Sequence, residues 1–394
     1  MDNNKLAIFG GRPVRETLLP YARHTVEADD IAAVTKVLVG DWLTQGPVVG
    51  SFEAALAAFS GVAHAVVFSS GTAALHGACW AAGLGPGDEA ITTPLTFAAT
   101  ANAVVYQGAR PVFADIDGAS LNVDPEAVKQ VATERTRAIL PVDFAGLPCE
   151  YDILLPLARE RGWVVIEDAA HSLGARYNER PVGSLADMTV FSFHPAKLIT
   201  SGEGGAVLTN SHEFAERLRR MRHHGIRYDD SERPWRYEIE QPGNNYRITD
   251  FQCALGISQL RKLDKFWGKR DRLARRYEDR LAESPFVDLP ALPAGRRHAW
   301  HLFLVLLRLE RLTSDQDTIL KALRAENIGV QLHYGLVHLH PFYRERFGYG
   351  PGLCPVAEGI EHRLVTLPLF PSMTEQDQDD VLMALDKVFS HFAR

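Results

Sequence analysis

The sequence predicts an α/β protein, with a larger domain on a mostly parallel sheet over residues 1–250 and a smaller α+β domain over residues 251–394. Three observations lead there. Short, continuous apolar runs alternate with amphipathic stretches through the first two-thirds of the chain, the pattern of strands buried on both faces and separated by helices. Polar, glycine-bearing motifs follow directly after several of these runs, where ligands bind in such sheets. Beyond Asn210 the pattern changes to longer helices and fewer apolar runs.

Taken in order, Ala65–Phe68 (AVVF) reads as a strand, followed by SSGT and a helical run, Ala73–Ala82. Glu89–Thr92 leads into PLTF and a helix through Tyr106. Pro111–Ala114, Ala138–Val142 and Trp163–Ile166 are further strands, as are Met188–Phe193 and Ala206–Thr209. Glu213–Arg222 is expected to be a helix, and Tyr228–Asn245 irregular. Asp250–Leu260 and the strongly amphipathic Arg270–Leu281 read as helices. Ala299–Leu309 is a strand candidate, Asp315–Glu326 a helix and Val330–His333 a further strand. The last helix, Thr374–Phe389, has Thr374 as N-cap with Asp377 closing the turn.

A chain of 394 residues exceeds one compact core. Its 46% hydrophobic and 23% charged residues are those of a globular protein. The net charge of −7 argues against a general nucleic-acid binder. The apolar run Leu6–Phe9 is too short for a signal-peptide core, and no run is long enough to span a membrane. Cys79, Cys149, Cys253 and Cys354 are scattered and form no paired motif, so buried thiols in a reducing cytoplasm are expected.

The densest chemistry lies in Val165–Thr209. Asp168 and His171 follow a buried strand, and Lys197 lies in a polar loop between two strands. A lysine of lowered pKa is an amine nucleophile toward carbonyls. An acid at a strand end can pair with a pyridinium nitrogen and keep a pyridoxal ring an electron sink. Ser69-Ser70-Gly71-Thr72, between a strand and a helix, offers hydroxyls and backbone N–H groups to a phosphate. Each feature alone is commonplace: a solvated lysine, a helix-capping aspartate, a capping serine. Together on one sheet they are the parts that hold pyridoxal phosphate.

From about Tyr21 to Phe389 the chain resembles the DegT/DnrJ/EryC1/StrS family of sugar aminotransferases. The resemblance rests on LTQGP (Leu43–Pro47), SSGTAALH (Ser69–His76), TPLTFAATANAV (Thr93–Val104), EDAAHSLGA (Glu167–Ala175), FSFHPAKLITSGEGG (Phe191–Gly205) and NNYRITDFQCALGISQL (Asn244–Leu260). It implies fold type I, with a seven-stranded, mostly parallel sheet, and pyridoxal 5′-phosphate as cofactor. Lys197 matches the family's Schiff-base lysine, Asp168 the partner of the pyridine nitrogen and Phe97 the aromatic stacked on the ring. Ser70, Gly71, Thr72 and Ser192 match the phosphate site, and His171 a position near the ring hydroxyl. Asn245 matches a residue that reaches the neighbouring subunit's phosphate, which implies a homodimer with shared active sites. Thr44, His333 and Tyr334 are candidate sugar contacts.

The implied reaction takes an amino group from L-glutamate, releases 2-oxoglutarate and aminates a UDP-linked keto-sugar. PWRYEIEQPGNNYRITDFQCALGISQL and VQLHYGLVHLHPFY are similar to the subgroup that makes the 4-amino precursor of pseudaminic acid from a 4-keto-6-deoxy sugar. HAWHLF, FYRERF and LPLFPSMT resemble the subgroup that makes UDP-4-amino-4-deoxy-arabinose, and C3 and cyclitol aminotransferases share much of the motif set. One departure is GNNYR, where the usual pattern is GYNYR. Two other classes fit less well. A metal hydrolase on His333, His338 and His340 lacks an HExxH arrangement, and no metal ligand is assigned. A non-catalytic binder would not need the set Lys197, Asp168, Thr72 and Ser192 intact.

Overall fold

The structure, a computed structural model, describes residues 5–228 and 235–394. Seven strands form the main sheet: β1 (His64–Phe68), β2 (Glu89–Thr92), β3 (Arg110–Phe113), β4 (Thr136–Leu140), β5 (Val164–Asp168), β6 (Met188–Ser192) and β7 (Gly205–Thr209). Their order is β1-β7-β6-β5-β4-β2-β3. β7 runs antiparallel to both β1 and β6, and the other neighbours pair in parallel. The carboxyl ends of six strands therefore share one edge, and β7 begins there.

Alternation along the strands explains why the sheet is covered on both sides. Ala65 and Val67 of β1 join a core with Phe52, Leu56 and Val165. Val66 and Phe68 face a second core with Ile166, Val190 and the helix Gly71–Ala81. Fully burying an aliphatic or aromatic side chain of this kind contributes about 1.5–3 kcal/mol.

The smaller sheet consists of β10 (Val287–Asp288), β11 (Phe303–Leu307) and β12 (Leu364–Leu367), all antiparallel, after a short hairpin of β8 (Ile226–Tyr228) and β9 (Tyr237–Ile239). Phe303, Val305 and Leu307 face a core with Val381, Leu385 and Phe389 of the last helix. Leu304 and Leu306 face the large sheet through Leu95, Phe113 and Phe144.

Three expectations need correction. Val330–His333 forms no strand: Arg324 occupies the Val330 carbonyl with two guanidinium bonds (3.1 and 3.0 Å), leaving one bridge, Gln331 to Thr366. Tyr228–Asn245 is less irregular than expected, since it contains the second strand of the hairpin; residues 229–234 lie outside the described residues. The strand expected over Ala299–Leu309 is confined to Phe303–Leu307.

The two apolar cores also divide the chain differently from a cut at residue 250. Cys253, Leu260, Leu263 and Phe266 pack with the main-sheet core, whereas Leu6 and Leu19 belong to the small-sheet core with Leu273 and Tyr277. We propose a small domain made of the N-terminal segment and residues from about 270 onward.

Candidate active site

The shared strand edge assembles the site. Gly205 opens β7 and pairs with Phe68 on one side and Ser192 on the other. A Cβ on Gly205 would stand 2.5 Å from the Ser70 carbonyl and 2.7 Å from the Gly71 nitrogen. Only glycine lets the turn after β1 close onto β7, and this brings the helix Gly71–Ala81 beside Ser192. Ser70 caps that helix, its Oγ accepting from Ala73 N at 3.1 Å. The first-turn N–H groups of Gly71 and Thr72 have no intrahelical acceptors. They and the Ser192 hydroxyl make a concave donor set suited to a phosphate. A Cβ on Gly71 would fill it, lying 2.9 Å from Ser192 Cβ.

Asp168 ends β5 and is buried. Thr100 Oγ1 donates to its Oδ2 at 2.7 Å, and Ala170 N to its Oδ1 at 3.1 Å. Burial pushes the carboxyl pKa up, opposed by these hydrogen bonds and by the Lys197 charge. Lys197 is half-buried, and desolvation brings its ammonium down to about 8, opposed by Asp168. Asp168 and Lys197 thus each favour the other's charged form against the cost of burial.

His171 is buried, donates to or accepts from the Tyr334 hydroxyl at 3.1 Å, and lies 4.4 Å from the ring of His301. Its pKa falls well below the ordinary value, first through burial and then through Lys197 and His333. Its Nδ1 is buried without a hydrogen-bond partner among the described residues. His333 is held by Thr366 Oγ1 at 2.9 Å, and burial lowers it to about 4.

Ser70, Gly71, Thr72, Phe97, Asp168, His171, Ser192, Lys197, His333 and Tyr334 all line one cavity of about 560 Å³. The Phe97 ring is 60% exposed at its mouth. Thr44 and Asn245 do not line it: both are exposed and sit in bridges to Thr249 and His223. The structure therefore does not bring Thr44 or Asn245 to the cavity.

Sequence reasoning missed Tyr21, Thr96, Thr100, His194, Glu203 and His301, which also line the cavity. Thr96 and Thr100 could have been found from their i, i+4 spacing at a helix start; their hydroxyls are 2.9 Å apart. Tyr21 gave no signal. The histidine-cluster alternative disperses: His333 bonds Thr366, while His338 bonds Glu358 at 3.0 Å. Among the described residues no group of three His, Cys, Asp or Glu side chains could hold a metal, and no helix is long and apolar enough to cross a membrane.

A mostly parallel seven-stranded sheet with an amine, a buried carboxylate and a phosphate-sized donor set at one edge fits a pyridoxal-phosphate enzyme of fold type I. The sequence model of the DegT/DnrJ/EryC1/StrS aminotransferase family matches residues 24–386, and the chain belongs to that family. It is 41% identical over 378 residues to the spore coat polysaccharide biosynthesis protein SpsC of Bacillus subtilis, covering 94% of this chain and 97% of that one. Its fold matches Helicobacter pylori PseC, an aminotransferase of pseudaminic acid biosynthesis, with a TM-score of 0.90 and 33% identity over 95% of this chain and 100% of that one. The PLP form of Spr1654 from Streptococcus pneumoniae matches with a TM-score of 0.89 and 26% identity, covering 95% and 99%. The family's cofactor is pyridoxal phosphate, and the cradle that a Cβ on Gly71 would fill fits its phosphate.

Proposed function

We propose that the protein transfers an amino group from L-glutamate to C4 of a nucleotide-linked keto-sugar, with a UDP-linked 4-keto-6-deoxy sugar as the preferred acceptor. The observation that carries this reading is the convergence of Lys197, Asp168, Thr72 and Ser192 on one cavity. The likeness to PseC and SpsC supports a sugar destined for a surface glycan.

Bound pyridoxal phosphate would supply the electron sink that makes the donor's Cα proton removable. Gly71, Thr72 and Ser192 would hold its phosphate, with Ser70 ordering the turn. Asp168 would pair with its ring nitrogen, Phe97 would cover a ring face and His171 would serve its hydroxyl; all three line the cavity. Lys197 Nζ would carry the cofactor, and in its neutral form it is the base that would hold the proton taken from the donor's Cα; that neutral fraction grows as pH passes about 8. Tyr334 and His333 orient the sugar.

Asn245 and Thr44 serve the neighbouring subunit of a homodimer. Exposed Ile31, Val39, Trp42 and Leu43 are the apolar surface that such pairing would cover. The test is to offer UDP-linked 4-keto-6-deoxy-N-acetyl-hexosamine, UDP-4-keto-pentose and a 3-keto sugar with L-glutamate. Mass spectrometry should find amine product fastest with the first. Faster amination of the pentose would favour the arabinose-type reading, and amination of none would refute the proposal.

A further inference from the structure

Directly beneath the site lie two acids that the chemistry above does not use. Asp143 follows β4, Glu167 precedes Asp168 on β5, and both are fully buried. Val142 pairs in parallel with Asp168, so Asp143 and Glu167 lie on the same face of neighbouring strand ends, and each carboxyl acts on the other's ionisation. The other donors to the pair are neutral. Asp143 Oδ1 accepts from Tyr151 Oη at 2.8 Å and Cys149 N at 3.0 Å, and its Oδ2 from Ser172 Oγ at 2.7 Å. Glu167 Oε2 accepts from Thr189 Oγ1 at 2.6 Å, while Oε1 has no donor among the described residues.

Two adjacent buried carboxylates without a cation cannot both stay ionised. Arg296, a cation that acts on the neighbouring Cys149, is paired with Glu150. The donor pattern says where the proton goes. Asp143 already takes three donors and has the environment of a carboxylate. A proton on Glu167 Oε1 would give that atom its missing role, as donor to Asp143. Burial raises both acids, as a pair that shares a proton requires.

We propose that Asp143 and Glu167 share one proton, and that this acid–carboxylate pair is a positioning device for the residues above it. Asp143 N donates to the Asp168 carbonyl at 3.1 Å, and Asp168 N to the Pro141 carbonyl at 2.9 Å, so the pair's backbone fixes the strand end that carries Asp168. Ser172 joins the pair to the turn that carries His171. Glu167, Asp143 and Ser172 thus act through Asp168 and His171 and touch no ligand. The positioning role rests on the function proposed above; the shared proton does not.

The test is infrared difference spectroscopy of wild type against Glu167→Gln, in H2O and D2O, with and without pyridoxal phosphate. The expected result is a carboxylic-acid carbonyl band that shifts in D2O and is lost in the variant; absence of the band overturns the shared proton. For positioning, Glu167→Gln should keep the L-glutamate half-reaction within about threefold, while the equally long Glu167→Met slows it by about 10–100-fold. A glutamine variant as slow as the methionine one overturns the positioning role. If Glu167→Met does not fold, Ser172→Ala replaces it, with slowing of several-fold expected and an unchanged rate overturning the link to His171. Should wild type fail to react with glutamate at all, the proposed function falls while the infrared band still decides the pair.

Discussion

Thr100→Val removes one hydroxyl from the buried carboxylate on which the site depends. Thr96 Oγ1 and Thr100 Oγ1 lie 2.9 Å apart, and Thr100 donates to Asp168 Oδ2 at 2.7 Å, so the two hydroxyls form a chain ending on the carboxylate. A hydrogen bond to a charged group contributes about 1.5–3 kcal/mol. At 1.36 kcal/mol per pKa unit, its loss raises the Asp168 pKa by roughly one to two units. Burial already raises that pKa, and of the groups that oppose burial the Thr100 hydroxyl acts most strongly. The variant's Asp168 therefore holds its proton to higher pH and loses the charged partner for the cofactor ring across that window. The assay is pyridoxal-phosphate affinity of the apoprotein from roughly pH 5 to 9. The acid-side midpoint should move up by roughly one to two units, with the two curves converging at high pH. A midpoint that does not move, or affinity lost equally at every pH, would refute the assignment of Asp168 as the ionised ring partner.

Other outcomes follow from the same geometry. Gly71→Ala puts a methyl 2.9 Å from Ser192 Cβ, an overpacking of about 1–3 kcal/mol, and should weaken pyridoxal-phosphate binding about 10–100-fold by equilibrium titration. Lys197 in the apoprotein should react with an amine-directed reagent with a midpoint near its lowered pKa of about 8. Asp168→Asn should move that midpoint lower still, because the aspartate charge raises it. Asp250→Ala removes the carboxylate that accepts from Gly46 N (2.8 Å) and Val48 N (3.0 Å) at the start of the helix Pro47–Ser60; urea unfolding should show a loss of about 3 kcal/mol or more.

Much of the fold was legible because buried parallel strands write themselves as apolar runs. Glu89–Thr92 and the helix Asp250–Leu260 fall on the expected boundaries, the latter because Thr249 and Gln252 close a capping box. The Thr374 cap with Asp377 was legible for the same local reason. What could not be read depends on distant partners. Val330–His333 alternates like a strand, but a guanidinium six residues away takes its carbonyl. The N-terminal segment is bound to the small domain through Glu326, which accepts from Ala7 N and Val14 N, a contact spanning more than three hundred residues. The site's chemical residues stood out because they cluster after strands. Thr100 and His301 did not, since a helix threonine and a core histidine look ordinary until the fold brings them to the cavity.

Everything proposed for the site turns on Lys197 being the amine that carries the cofactor. The visible absorption spectrum of the protein loaded with pyridoxal phosphate, before and after L-glutamate, decides this for wild type and Lys197→Ala. The wild type should show a lysine-dependent cofactor band that glutamate bleaches, and the variant no such band. The same band in Lys197→Ala, or none in the fully supplied wild type, would overturn the assignment.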